Sequence, residues 1–361
     1  MTVPEPTPRP SHALLSHRRI AIITDGYSTP FLAKTAISLL RYRSADVVAV
    51  IDQEAAGQTA QQLLSSGGET PVVGRLDEVP EVDALYIGIA PPGGKLPESW
   101  RPVILAALRR KLDVVSGLHE FLCEDDEYSQ LAAQTGSQLI DVRRNRHKTT
   151  AQGRSFPRDC LRIHSVGQDC TVGKMITTVE LQRHLAGSGH DAKFLATGQT
   201  GIMISGEGVP IDCVVADFVN GAAEQLVAEN EQHAFLLIEG QGSISHPAFS
   251  AVTLGLLHGC APDGLVFCYE AGRHQVKGLD GVDIPPLVDQ MRAYEVLANL
   301  RHPCRVIGVA VNTRTLSEQA AADELARAES LFQLPACDVY RTGPEKLAQA
   351  CLELRREVLA R

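Results

Sequence analysis

Short, continuous apolar runs recur along the chain from Arg18 onward, separated by segments whose apolar residues return with helical spacing. In the first half the runs are Ile20–Ile23, Val47–Asp52, Ala84–Ile89, Asp113–Val115 and Leu139–Val142, with a helical pattern over Phe31–Tyr42. In the second half they are Leu161–Val166, Asp191–Ala196, Ala234–Ile238, Leu265–Cys268, Arg305–Val311 and Asp338–Tyr340. Two of the intervening helices, one begun by Pro285-Pro286 and one over Pro344–Leu359, use proline in the first turn, where its missing N–H is harmless. Strands that are apolar throughout, set between amphipathic helices, predict parallel sheets covered on both faces. Arg143–Asp159 breaks the rhythm: it is polar and basic, holds Gly153 and Pro157, and reads as an interdomain linker. The expected fold class is therefore α/β, with two domains that are each a mostly parallel, doubly wound sheet. The expected boundaries are a disordered lead-in at 1–17 with four prolines, a Rossmann-like domain over 18–145, a linker at 146–160 and a second α/β domain over 161–361.

Composition narrows the class of protein. A length of 361 residues suits two domains at roughly 100–200 residues each. With 44% hydrophobic and 21% charged residues the chain is globular rather than disordered. No apolar run approaches the ~20 residues of a bilayer span, so no membrane partner is expected. The formal charge of −9, with a single basic block at Arg143–Lys148, makes nucleic acid an unsuitable partner. Nine scattered cysteines without a C-x-x-C pair fit neither a disulfide framework nor a zinc site. The N-terminus lacks the apolar segment of a secretory signal, and a cytoplasmic location is expected.

The strongest chemical signal follows the run Leu161–Val166. Gly167, Gln168, Asp169, Cys170, Thr171, Val172, Gly173, Lys174 and Met175 form a glycine-bounded loop that leads into a helical segment. Strand, loop, Gly-Lys and helix make a phosphate cradle, in which loop N–H groups and the helix N-terminus face the anion and lysine adds a point charge. The loop departs from the usual P-loop spacing by one residue, and Met175 replaces the Ser/Thr that normally meets Mg²⁺. A tight turn with an exposed lysine is the plainer alternative. The second signal is Glu239-Gly240-Gln241-Gly242, at the end of the apolar run Ala234–Ile238 and followed by His246. An acid at a strand's C-terminal end faces the ligand side of a doubly wound sheet. Glu239 could hold Mg²⁺ or take a proton from an amine, and His246 could do the latter; a helix-capping acid and a surface histidine are the alternatives.

The lengthened loop with its Asp169, together with Glu239-Gly240-Gln241-Gly242, resembles the dethiobiotin synthetase branch of P-loop enzymes. Asn312, in Val309–Thr313, resembles the strand-end Asn that meets the nucleotide base there, and is otherwise a turn residue. A closer resemblance spans almost the whole chain. Asp25-Gly26-Tyr27, Gly88–Gly94, Ser116–His119, Thr197–Gly201, Asp217–Ala222 and Glu239–Pro247 are similar to the two-domain D-glutamate N-acetyltransferase (DgcN-like) family, Rossmann-like and then P-loop. That resemblance implies acetyl transfer from acetyl-CoA, as co-substrate, to the amine of D-glutamate or a similar amino acid. The diphosphate of the coenzyme would lie in the loop at 167–175. Glu239 or Asp169 would take the amine proton, and Lys174 would stabilise the oxyanion. Cys170 would either carry the acetyl group or simply fill the loop, and Arg273, Gln199 and Thr200 would meet the substrate. Two other functions stay open: an ATP/Mg²⁺-dependent ligase working through an acyl phosphate, with Asp169 and Glu239 as metal ligands, and a non-catalytic nucleotide sensor. A homo-oligomer is expected. In the first domain Asp52 ends a strand where dinucleotide folds place a ribose-binding acid. The first turn, Asp25–Pro30, nevertheless lacks G-x-G-x-x-G, so NAD is not expected. Gly93, Gly94, Gly117 and His119 are that domain's candidates for lining a cleft.

Overall fold

The computed structural model describes residues 11–360. Part of the lead-in expected at 1–17 thus lies outside the described residues. The rest is ordered: Ser11–Ser16 is a short helix that buries Leu14 completely, and His17 bonds Tyr86 and Asp113. The Tyr86 hydroxyl also donates to the Leu14 carbonyl, and Arg43 to the His17 carbonyl.

The chain divides into two compact units, the first running to Asn145 and including Gln199–Cys213, the second comprising Arg146–Gly198 and the chain from Val214. The first unit carries a six-stranded parallel sheet of β1 (Ile20–Ile23), β2 (Val47–Ile51), β3 (Val72–Val73), β4 (Ala84–Ile87), β5 (Asp113–Ser116) and β6 (Leu139–Asp141). Its order, β3-β2-β1-β4-β5-β6, is that of a Rossmann sheet. The second unit carries β7 (Leu161–Gly167), β8 (Ala192–Leu195), β9 (Phe235–Ile238), β10 (Gly264–Glu270), β11 (Arg305–Asn312) and β12 (Ala336–Cys337), in the order β12-β11-β10-β7-β9-β8 and parallel throughout. The central strands are buried along their whole length, as their unbroken apolar character requires.

Three local outcomes differ from the sequence expectation. The last strand is Ala336–Cys337 and not Asp338–Tyr340, because the Asp338 carboxylate turns back to accept the Thr313 N–H and hydroxyl. The two-residue edge strand β3 carries too short a pattern to be read. The segment at 146–160 is docked rather than a free linker: Glu224 accepts the backbone N–H groups of Gln152 and Arg154, and Cys160 is buried. Gly221 lies where a Cβ would collide with the Thr149 carbonyl, so the bare backbone of the helix Val219–Ala228 is what lets this segment lie down.

Asp52 is not open to a ribose. Its buried carboxylate accepts from the Ser28 hydroxyl and from the Ala55 N–H. Close helix-to-strand approach in this unit is provided by Gly88, whose carbonyl accepts from Ala36 and whose Cβ would press on Ile22, Ala36 and Thr24.

Candidate active site

In the second unit β7 is flanked by β9 on one side and β10 on the other, the point at which a doubly wound sheet opens a crevice beyond its strand ends. Three strand ends meet there: Gly167 of β7, Glu239 after β9 and Glu270 of β10. The loop after β7 turns tightly. Thr171 sits at φ +57° and Gly173 at φ +106°, and Gly173 starts the helix Lys174–Gly187. Gly167 cannot carry a side chain, since a Cβ would stand 2.7 Å from the Cys268 carbonyl. Gln168 N–H is tied to that carbonyl and Cys170 N–H to Asp169 Oδ1. Among the described residues, no acceptor takes the backbone N–H of Thr171, Val172 or Gly173. Successive unengaged N–H groups at a helix N-terminus form an anion nest.

Lys174 is buried, not an exposed lysine on a turn, and its ammonium donates to the Asp169 carbonyl at 2.8 Å. Burial lowers its pKa, and the neighbouring Arg273 adds to the effect against the pull of Cys170, Cys268 and Asp169. A buried cation with one carbonyl partner gains from an incoming anion.

Asp169 is fully buried and acts as the keystone of the loop. Its Oδ2 accepts from Arg273 at 2.9 Å and from Lys277 N–H at 2.9 Å, while Oδ1 takes Cys170 N–H at 2.7 Å. The Arg273 guanidinium also donates to the Cys170 carbonyl and to Glu270, which in turn accepts from Arg314. Arg273 is therefore engaged as a strut between two carboxylates of the chain, an arrangement different from the open clamp expected for a substrate carboxylate. Gln168 bridges the same elements, accepting Glu270 N–H at 2.6 Å and donating to the Arg273 carbonyl.

Glu239 is buried beside the loop. Its Oε2 accepts the N–H groups of Thr197 and Gly198 at 2.9 and 3.1 Å, and its Oε1 accepts the Gln241 amide at 3.2 Å. It clasps the end of β8 to the end of β9. Gly240 is required where it stands, since a Cβ would run into the Ser165 carbonyl and the Lys174 side chain. The Thr178 hydroxyl faces inward, bonded to Ser165 Oγ and the Lys174 carbonyl, and a Thr177 hydroxyl contact reaches the Cys268 thiol. Met175 stands where an ordinary P-loop has its hydroxyl, and the Thr177 and Thr178 hydroxyls turn toward Cys268 and Ser165.

His246 is buried with Nε2 4.0 Å from Asp169 Oδ1. Its Nδ1 accepts Ala248 N–H at 3.1 Å, which in the neutral ring leaves the proton on Nε2, the nitrogen nearer Asp169. Burial lowers its pKa, with Asp169 opposing and Lys174 reinforcing the shift. Asp169, Cys170 and His246 hold donor atoms within 4.8 Å of one another. Asn312 forms its own turn, its Oδ1 accepting Arg314 N–H.

Gln199 and Thr200, expected to meet the substrate, directly follow Gly198, whose N–H is bonded to Glu239. They open the helix Gln199–Ser205 of the first unit, where Gln199 Oε1 accepts from Arg143 and Thr200 meets Thr35 hydroxyl to hydroxyl at 3.0 Å. Sequence reasoning missed Glu270, Lys277 and Arg314. Glu270 carries the same strand-end signal as Glu239, whereas Lys277 and Arg314 come to the loop only through folding.

Comparison with known proteins follows the same two-unit division. Residues 149–348 match the DUF1611 P-loop domain and residues 53–145 the DUF1611_N Rossmann-like domain, both described as domains of unknown function. The chain is 40% identical over 264 residues to a D-glutamate N-acetyltransferase of a Pseudoalteromonas species, covering 72% of this chain and 79% of that one. It is 39% identical over 269 residues to a D-glutamate N-acetyltransferase of Tritonibacter scottomollicae, covering 74% and 80%. A crystal structure of a DUF1611 family protein from Anabaena variabilis superposes with a TM-score of 0.88 at 37% identity, covering 93% of this chain and 99% of that one. With both domain models matched in order and relatives of this closeness over most of its length, the chain belongs to the DUF1611 family.

Proposed function

We propose that this protein transfers an acetyl group from acetyl-CoA to the amine of D-glutamate or a closely related amino acid. The observation that carries the reading is the similarity, at about 40% identity over nearly three quarters of the chain, to two proteins named D-glutamate N-acetyltransferase. The geometry of the second unit supports it. Coenzyme A ends in a phosphorylated ADP, and the N–H groups of Thr171–Gly173 with the Lys174 ammonium fit its diphosphate.

Thioester to amide is downhill, so the reaction needs no ATP. It needs a deprotonated amine and donors for the oxyanion. Glu239 is assigned the amine proton, because its Oε1 meets a neutral side-chain amide that an ammonium group can displace. Asp169, held by a guanidinium and two backbone N–H groups, is assigned to building the loop. The ligase reading would instead have Asp169 and Glu239 offer their remaining lone pairs to Mg²⁺, and the similarity to two proteins named D-glutamate N-acetyltransferase favours acetyl transfer over it.

The seat of the coenzyme is tested by calorimetry with acetyl-CoA. Lys174→Met is expected to weaken binding by about tenfold or more, the loss of a charge-assisted contact. Unchanged affinity would take the loop out of coenzyme binding.

A further inference from the structure

Three side chains of different donor chemistry converge in the first unit, none of them used in the acetyl transfer. His119 stands in the loop after β5, and Asp212 and Cys213 close the stretch Gln199–Cys213 that belongs to this unit. One donor atom from each lies within 4.8 Å of the other two. The closest pair is Cys213 Sγ and His119 Nδ1, at 3.4 Å, and Asp212 Oδ2 stands 3.9 Å from Nε2 of the same ring. A tetrahedral zinc ion, with bonds of about 2.1 Å to nitrogen and about 2.3 Å to sulfur, sets those two ligands about 3.5 Å apart. Thiol and imidazole already have that spacing.

The surroundings orient all three. Arg143 donates to Asp212 Oδ2 twice, at 2.9 and 3.2 Å, and among the described residues Oδ1 takes no hydrogen bond. The guanidinium thus fixes the carboxylate and leaves one oxygen for an ion, the usual division of labour at a ligating carboxylate. Asn145 donates to the Cys213 carbonyl at 2.8 Å, and His119 N–H donates to the Gly94 carbonyl at 3.0 Å. Gly94 has no side chain for a local reason: a Cβ there would stand 2.6 Å from the His119 ring. His119 and Asp212 are exposed and Cys213 is half-buried, so an ion can enter from solvent and keep a position for water.

We propose that His119, Asp212 and Cys213 form a binding site for a divalent transition-metal ion of the zinc class, with water in the fourth position. Imidazole and thiolate select zinc or cobalt over magnesium and calcium, which prefer oxygen ligands throughout. Burial and Asp212 push the free Cys213 thiol up to about 11 against Arg143, so it keeps its proton until the ion displaces it. Such an ion ties the end of the stretch Gln199–Cys213 to the loop after β5. No step of the acetyl transfer passes through it, so the site and the acetyl-transfer reading stand or fall separately. Paired cysteines are what mark a zinc site in a sequence. A mixed donor set whose thiol and imidazole are 94 positions apart leaves no such mark.

The test uses the full chain, stripped with chelator, dialysed and titrated with Co²⁺. One equivalent is expected to bind with a near-ultraviolet thiolate-to-cobalt band and the intense visible bands of a four-coordinate ion, and Zn²⁺ should bleach both. Cys213→Ser, close in shape to the native side chain, should lose the thiolate band, while Cys123→Ser in the same unit should keep it. His119→Ala and Asp212→Asn should each weaken Co²⁺ binding by at least the roughly tenfold that loss of an outer-shell partner costs. A second arm needs no variant. Zn²⁺ at about ten times its Kd should slow iodoacetamide labelling of Cys213, located by peptide mass analysis, by about tenfold. Cobalt bound without a thiolate band, or with a band that survives Cys213→Ser, overturns the site, as does labelling that ignores Zn²⁺. A band that needs Cys213 but is as tight in His119→Ala and Asp212→Asn overturns it too, since the thiol then binds metal alone.

Discussion

At the scale of single residues, the loop is shaped by what cannot be added to it. A Cβ at Gly240 would meet the Ser165 carbonyl and the Lys174 side chain. Gly240→Ala is therefore expected to cost about 1–3 kcal/mol, the usual range for overpacking a rigid site, measured by urea denaturation. A midpoint within error of wild type would show that the strand end yields. Glu239→Gln is nearly isosteric and keeps the acceptor oxygen, so it should fold normally. It should lower turnover by about 100-fold with acetyl-CoA affinity little changed, and undiminished turnover would remove Glu239 from the chemistry. Much of this site was readable beforehand, because glycines, a lysine and strand-end acids leave local signatures. The partners were not. Arg273 reaches Asp169 across 104 positions, and no local pattern says that its guanidinium spans Asp169 and Glu270. The same holds for His119 and Cys213, 94 positions apart.

At the scale of elements, β7 carries an acid-sensitive residue at its centre. His164 is fully buried, its Nδ1 has no partner among the described residues, and its pKa is pushed down to about 3, chiefly by burial and secondarily by Lys174. The unfolded chain binds the proton near pH 6.5, and the folded chain does so only near pH 3. Stability from this residue is therefore complete above pH 6.5 and falls as pH drops from about 6.5 toward 3. Between pH 7 and pH 5 the loss is about 2 kcal/mol. In His164→Gln, denaturation at the two pH values should differ by correspondingly less; an equal fall would assign the acid sensitivity elsewhere. The docked segment at 146–160 gives a second element-scale expectation. Glu224→Ala leaves the N–H groups of Gln152 and Arg154 without their acceptor, and amide exchange there should rise at least tenfold while β7 stays protected. Unchanged exchange would show that packing against Gly221 holds the segment by itself. The run of polar, basic residues concealed this docking, since the contacts with Glu224 are made through backbone N–H groups, which leave no pattern in the sequence. Long interior strands were legible for the opposite reason. The short edge strands β3 and β12 bury too little to leave a pattern.

At the scale of the whole molecule, the fold follows from alternating apolar strands and amphipathic helices, and the division near residue 145 coincides with the end of that rhythm in the first half. The excursion Gln199–Cys213 into the first unit could not be read. Its helix resembles any other buried helix, and only the folded chain shows that Arg143, Thr35 and Gly117 receive it. This segment also carries Asp212 and Cys213, so the one departure from sequential domain order brings a second set of reactive groups into the Rossmann-like unit. The central claim is acetyl transfer from a coenzyme A thioester to an acidic D-amino acid. It is tested most directly by following free thiol from acetyl-CoA with purified protein and D-glutamate, in chelator and without ATP, with L-glutamate as the control. Thiol release that requires D-glutamate and ignores chelator is the predicted result. Release of phosphate from ATP, abolished by chelator and unaccompanied by thiol, would contradict it.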